Sequence, residues 1–333
     1  MKKPAPTIYD VARTAGVSIA TVSRVLNDPQ KVNDETRSSV FNAIQQLGYM
    51  PKAEARARAM QQNRRIGVIT PYFTAPSFVQ RLRGVASVLN NTSYELVIYT
   101  VESANKFNRY LETLPINHYL DGLIILSLQF DNIFAQRLHE FGLETVLVEY
   151  PHQVLSSVEI DDQAGGRMAA DYLLSKGYRK MAFIGDTAIP EFGIHPITLR
   201  LAGFRQQLAE RGYPLDEAHM HTVPYDAEAA RQAARAILAR KERPEAIFSA
   251  TDLQAIAFLK VARELGLEVP RDVAILGFDD LDIAEYVGLS TVRQHLDESG
   301  KIAAELLLNR IANRDRPVQH IQLPLTIIER DTA

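Results

Sequence analysis

Residues 7–27 read TIYDVARTAGVSIATVSRVLN, and their spacing predicts two short helices joined by a tight turn. Thr7 can cap the first helix, with Asp10 in capping-box position three residues on. Val11, Ala12 and Ala15 form its apolar stripe, and Gly16 ends it where a positive φ is cheap. Ser18 can cap the second helix, whose Val22, Val25 and Leu26 fall on one side. Ala20, Ser23, Arg24 and Asn27 fall at i, i+3, i+4 and i+7 on the other side, a small polar face with one forked donor. Such a face suits the major groove, where a guanidinium bonds guanine O6 and N7 together. An ordinary two-helix corner has the same outline, with Ile19 as a core residue.

Outward from this stretch, residues 33–47 predict a third helix, capped by Asn33 and packed through Val40, Phe41, Ile44 and Leu47. Gly48 closes it, and Tyr49-Met50-Pro51 marks an extended break, because the residue before proline avoids helix. Residues 52–65, KAEARARAMQQNRR, form a polar linker whose helix would be marginal alone. Beyond it the pattern changes to short apolar strands alternating with amphipathic helices. Strands are expected at 66–70, 94–100, 122–126, 145–148 and 157–160, then near 181–184, 246–249, 273–276 and 290–293. A stretch rich in β-formers, HIQLPLTII, follows a helix over 296–312. Near-continuous apolar strands between helices indicate parallel sheets covered on both faces. Two such halves in a row indicate two doubly wound lobes with a cleft between them.

The 333 residues are enough for two or three domains. The net charge of −3 hides an asymmetry: residues 1–65 carry 11 Lys and Arg against 5 Asp and Glu, and the remainder carries 26 against 35. A basic head on an acidic body suggests that the head meets a polyanion. With no cysteine there is no disulfide framework or thiolate metal site, no apolar run approaches a membrane span, and no apolar segment follows the N-terminal Lys pair. A cytoplasmic location is the expectation. G-x-S-x-G, Walker A and H-E-x-x-H are all absent, and the eight histidines are scattered, so neither a catalytic set nor a metal site nor a cofactor is expected.

The run D-V-A-x-x-A-G-V-S-x-A-T-V-S-R-V-L-N at 10–27, with I-Q-Q-L-G-Y-M-P at 44–51, resembles the headpiece of the lactose-repressor (LacI/GalR) family of bacterial transcription regulators. The resemblance extends over essentially the whole chain. It implies an α/β protein with an all-α helix-turn-helix headpiece (1–51), a hinge (52–65) and a two-lobed periplasmic-binding-protein-like core of parallel sheets (66–333). Lobe 1 would span about 66–160 and 292–318, and lobe 2 about 161–291 and 319–333. By the same resemblance Ile19, Ala20 and Arg24 read bases, while Tyr9, Ser18, Thr21, Ser23 and Asn27 meet phosphate or sugar. The hinge departs from the family pattern. Alignment from Tyr49 puts Lys52 at the usual Asn and Arg58 at the Leu that wedges into the minor groove. Either Arg58 enters a narrowed groove or Met60 supplies a displaced wedge.

In the core the resemblance implies an effector site between the lobes. Arg200, in TLRLAGF, matches an arginine that grips two ligand oxygens, and Asp279, in ILGFDD, an aspartate that accepts hydroxyl hydrogens. Thr251 and Tyr225 would join them from lobe 2, and Pro71, Tyr72, Ser77, Phe78 and Glu149 from lobe 1. More ordinary roles stand beside these: Asp252 as a helix cap, Asp280 satisfying loop amides, Phe78 as core. The stretch 186–198 is longer than expected and brings Glu191, Phe192 or His195 toward the pocket. Arg and Asp beside aromatic rings suit a polyhydroxylated ligand, so a sugar is the leading expectation, with a nucleoside, a sugar phosphate or a protein partner as alternatives. The expected assembly is a homodimer on pseudo-palindromic double-stranded operator DNA, acting as a repressor. A soluble sugar receptor with no DNA role is the remoter reading.

Overall fold

The computed structural model describes residues 6–27, 32–47, 49, 63–117, 119–186, 192–224 and 226–333. Three helices form the headpiece: α1 (Ile8–Ala15), α2 (Ile19–Asn27) and α3 (Asp34–Leu47). The Asp10 carboxylate accepts from the Thr7 backbone N–H (2.9 Å) and hydroxyl (2.7 Å), so the capping box forms in its carboxylate half. Gly16 adopts φ 68°, and Val17 N–H then reaches back to Ala12 O. The Ser18 hydroxyl accepts from Thr21 N–H and starts α2, and Asn33 accepts from Thr36 N–H and starts α3. Val11, Val22, Val25, Val40, Phe41 and Ile44 are buried together, joined by Ile116 of the first lobe.

The core contains two six-stranded sheets with corresponding strand orders. The first uses β1 (Arg65–Pro71), β2 (Glu95–Val101), β3 (Gly122–Leu126), β4 (Glu144–Val148), β5 (Ser156–Glu159) and β11 (His320–Gln322), in the order β11-β5-β4-β3-β1-β2. The second uses β6 (Met181–Asp186), β7 (Met220–Val223), β8 (Ala246–Ser249), β9 (Ala274–Asp279), β10 (Ser290–Arg293) and β12 (Thr326–Ile328), in the order β12-β10-β9-β8-β6-β7. All pairings are parallel except β10 with β12. Residues 320–322, which the sequence reading places in lobe 2, pair with 157–159 in the first sheet. The third crossing between lobes therefore falls at 323–325. HIQLPLTII is one β-rich run, and Pro324 divides it into strands for two different sheets.

Alternation along the strands distributes side chains to both faces of each sheet. In lobe 1, Ile66, Val68, Ile124 and Leu126 meet α4 (Pro76–Leu89) and α12 (Leu296–Ala312). Ile69, Leu123 and Ile125 meet α5 (Ala104–Asn117) and α6 (Asn132–Glu140). In lobe 2, Phe183, Phe248, Leu276 and Phe278 meet α7 (Asp162–Ser175) and α8 (Pro196–Glu210). Ala182, Ile184, Ile247 and Ile275 meet α9 (Ala227–Leu238) and α10 (Asp252–Glu264). A short helix, α11 (Asp282–Tyr286), follows β9.

One packing device recurs in both lobes. A Cβ on Gly84 of α4 would lie 1.9 Å from Asp297 O, and one on Gly300 of α12 would lie 2.0 Å from Arg81 O. In lobe 2, a Cβ on Gly203 of α8 would lie 1.9 Å from Gln163 O, and one on Gly166 of α7 would lie 2.0 Å from Arg200 O. Reciprocal glycines thus let two helices touch backbone to backbone in each lobe. Each crossing lies three residues beyond a buried arginine, Arg81 or Arg200, and so sets where that guanidinium sits.

Candidate functional site

A cavity of about 140 Å³ opens between the lobes at the carboxyl ends of the strands. Tyr72, Ser77, Phe78 and Glu149 line it from lobe 1, and Arg200, Thr251 and Asp279 from lobe 2, so these seven expected residues come together. Pro71 lines it as well. Tyr225 lies outside the described residues, as does Glu191. Of the other long-loop candidates, Phe192 and His195 are not on the wall; Gly193, Ile194, Pro196 and Ile197 are. Four further polar residues were not foreseen: Arg81, Ser127, Asp186 and Gln294.

The cavity rim is strained. Seven non-glycine residues among those described have positive φ, and four of them line this cavity: Tyr72 (44°), Ser127 (54°), Glu149 (67°) and Asp279 (128°). Each such conformation costs about 1–3 kcal/mol, and such residues concentrate at functional sites. Here they sit just past β1, β3 and β4 and at the end of β9, where the chain must turn its side chains into the cleft.

Behind the rim runs a buried chain of charges. In lobe 1, Arg81 pairs with Glu149, which also accepts from the Ser127 hydroxyl. Arg81 Nη2 donates to Gln294 Oε1 at 3.0 Å, and Gln294 donates in turn to Asp279. Gln294 lies at the second crossing, so its amide links the two lobes. In lobe 2, Arg200 Nε donates to Asp162 Oδ1 at 2.7 Å and Nη1 to Ala250 O at 2.7 Å, with Asp279 Oδ1 at 3.7 Å. The guanidinium carbon stands 3.7 Å from the centre of the Phe278 ring, a cation–π contact. Arg200 Nη2 makes no hydrogen bond among the described residues. Burial pushes the Asp279 carboxyl up to about 6 against the pull of Arg200 and Arg81. Burial likewise raises Asp186 to about 6, opposed by Arg200.

Two acidic residues, Asp252 and Asp280, have roles other than the ones expected. Thr251, not Asp252, caps α10, its hydroxyl accepting from Gln254 N–H at 3.4 Å. Asp252 is fully buried and accepts from the Thr291 hydroxyl (2.6 Å) and Leu281 N–H (2.7 Å). Asp280 is held by Arg293 (2.6 Å) and Arg330 (2.8 Å) rather than by loop amides. Partners from distant segments, a hydroxyl and an amide for Asp252 and two guanidiniums for Asp280, reach these acids in the fold, which local spacing does not reveal.

The long loop after β6 clasps the opposite lobe. Gln129 N–H donates to Phe192 O (3.0 Å) and Ile194 N–H to Ser127 O (3.3 Å). The Phe192 ring packs into the lobe 1 core, 6.4 Å from the Phe107 ring. A second contact across the lobes joins Arg83 of α4 to Asp282 of α11 at 2.6 Å.

On the headpiece, Ser18, Ile19, Ala20 and Arg24 of the second helix are exposed, and Thr21 and Ser23 are half-buried. Ile19 is 40% exposed, which removes it from the core. Tyr9 projects from α1 at 68% exposure. The Asn27 side chain, and the whole of 50–62 with Arg58 and Met60, lie outside the described residues.

The family model for bacterial regulatory proteins of the lacI family matches residues 7–52, and a periplasmic binding protein-like domain matches 170–333. The ribose operon repressor of Escherichia coli (strain K12) is 31% identical over 333 residues, covering 98% of this chain and 99% of that protein. The HTH-type transcriptional regulator CelR of Thermobifida fusca is 31% identical over 339 residues, covering 98% of each. Among solved structures, a transcriptional regulator CelR–cellobiose complex superposes with a TM-score of 0.70 at 30% identity, over 98% of this chain and all of that one. This headpiece on two lobes of one strand order, matched end to end by such relatives, makes the chain a member of the LacI family of bacterial transcription regulators.

Proposed function

We propose that this regulator binds a pseudo-palindromic operator as a homodimer in the cytoplasm and represses transcription under control of a sugar held between its lobes. The observation that carries the ligand reading is the buried Arg200–Asp279 couple at the cavity wall, where Arg200 Nη2 makes no hydrogen bond among the described residues and Asp279, held at Oδ1 by Gln294, keeps a second carboxylate oxygen to accept from a ligand hydroxyl. Tyr72 and Phe78, whose rings lie 6.5 Å apart on the lobe 1 side, supply apolar faces for sugar C–H groups. Relatives named for ribose and for a cellobiose complex favour the same class. The DNA reading rests on the exposed row Ile19, Ala20 and Arg24. Ile19 and Ala20 meet thymine methyls, Arg24 reads guanine, and Tyr9, Ser18, Thr21, Ser23 and Asn27 meet the backbone. Residues 52–65 act as the hinge, with Arg58 or Met60 in the minor groove.

Ligand binding changes DNA affinity only if the ligand prefers one arrangement of the lobes, a coupling of about 1–3 kcal/mol in typical cases. Selection from randomised DNA with the full chain tests the reading. A two-fold symmetric site emerges, and Arg24→Ala weakens specific binding to it by about 1–3 kcal/mol per subunit. Equal discrimination by wild type and Arg24→Ala would refute the recognition role.

A further inference from the structure

The charges around the cleft do not balance, and the imbalance lies on one side. In lobe 1 one guanidinium, Arg81, meets one carboxylate, Glu149. In lobe 2 the single guanidinium of Arg200 stands among Asp162, Asp279 and Asp186. Asp162 and Asp279 share Arg200. Asp186, at the end of β6, makes no ion pair among the described residues. Its Oδ1 receives the neutral amide of Gln254 at 2.6 Å, and Gln254 is itself placed by the Thr251 cap. The carboxylate faces the cavity opposite Tyr72.

We infer that Asp186 sets the charge selectivity of the cleft: the site takes a polyhydroxylated ligand without an anionic group, and Asp186 accepts hydroxyl or ammonium hydrogens from it. The inference rests on the ligand site proposed above and narrows its occupant. An incoming phosphate would need a guanidinium to neutralise it, and the charge of each is already answered by a buried carboxylate, although Arg81 Nε and Arg200 Nη2 make no hydrogen bond among the described residues. Arg81 is committed to Glu149 and Gln294, and Arg200 to Asp162, the Ala250 carbonyl and the Phe278 ring. A phosphate ester therefore brings two further negative charges against an uncompensated carboxylate in a partly dry cleft, where Coulomb repulsion is weakly screened. A hydroxyl meets an acceptor there, and an ammonium meets a counter-ion. Discrimination comes from the repulsive element as much as from the attractive ones.

The test is calorimetric titration of the full chain, at one pH above 7, with matched probes: ribose against ribose 5-phosphate, and glucose and glucosamine against glucose 6-phosphate. The expected result is binding of at least one uncharged or amino sugar, with its phosphate ester weaker on the order of 100-fold. In Asp186→Asn, which keeps the size and one acceptor, that ratio shrinks on the order of tenfold. Thermal midpoints of the two proteins confirm that both are folded. A phosphate ester that binds wild type as tightly as its parent overturns the inference and leaves the sugar site standing. An unchanged ratio in Asp186→Asn also overturns it. A panel in which no sugar of any charge binds refutes the proposed ligand class, and the inference with it.

Discussion

The two lobes share a strand order, a glycine-lined helix crossing and a buried arginine three residues before the crossing, but they surround that arginine differently. Arg81 has one buried carboxylate beside it in lobe 1 and reaches Gln294 at the crossing, with its Nε unbonded among the described residues. Arg200 serves two buried carboxylates and an aromatic ring, and like Arg81 it keeps one nitrogen without a hydrogen bond among the described residues, so the two differ in the number of carboxylates they answer. One scaffold has thus been used for an internally balanced pair and for an under-compensated one. The balanced pair contributes a rigid wall, and the under-compensated one leaves charge for a ligand to complete.

The largest effect that tests this contrast comes from removing each guanidinium. Arg200→Met leaves Asp162 and Asp279 buried without a cation, and stability falls by about 3–5 kcal/mol, the range for breaking a buried ion pair. Arg81→Met strands one carboxylate and falls at the lower end of that range. The double change Arg81→Met with Glu149→Gln recovers most of the loss, whereas Arg200→Met with Asp162→Asn does not, because Asp279 remains. Denaturant unfolding reads all four, and equal recovery in the two lobes would remove the distinction.

Next come the crossings. Gly84→Ala and Gly203→Ala each drive a Cβ onto a backbone oxygen 1.9 Å away, so the helices must part, at a loss of about 3 kcal/mol in either lobe. The equal stability loss sharpens the comparison, since only Gly203→Ala also moves Arg200 and weakens ligand binding. A loss confined to one lobe would show that the crossings are not equivalent.

A smaller effect belongs to the clasp. Phe192→Ala removes a ring from the lobe 1 aromatic cluster and weakens the contact between lobes by about 1–2 kcal/mol. It accelerates hydrogen exchange at Gln129 and Ile194, whose N–H groups make the two bonds across the cleft. Unchanged exchange there would show that the backbone bridge holds without the ring.

The smallest is a pH effect. The Asp186 carboxyl, raised to about 6 by burial, holds its proton when folded at pH values where the unfolded chain has released it. Its contribution to stability is complete below about pH 4 and is lost as pH rises through 6. Asp186→Asn lacks this loss, so its midpoint gains on that of wild type between pH 4 and 7. The drift is on the order of 1 kcal/mol because solvent still reaches part of the group. A constant difference across that window would place the carboxyl in an ordinary environment.

How much of this was legible in the chain follows from the range of the signal. The headpiece is local: Thr7 and Asp10, Gly16, Ser18 and Asn33 mark its ends within a few residues of what they cap. Arg200 and Asp279 sit in recognisable strings, TLRLAGF and ILGFDD. Arg81 does not, because its meaning comes from Glu149 and Gln294, 68 and 213 positions away. Asp186 resembles any acidic residue before a loop until Gln254 and the opposite lobe come to face it. Strand 320–322 was misplaced for a related reason, since its apolar pattern says that it pairs but not with which sheet.

The central claim is that the lobe 2 couple receives a sugar, and the most direct measurement is the thermal midpoint of the full chain with and without saturating ribose and cellobiose, in wild type and Asp279→Asn. A ligand that binds only the folded state raises the midpoint by mass action. The account predicts a rise in wild type with at least one of the two and none in Asp279→Asn. An equal rise in both proteins would contradict it.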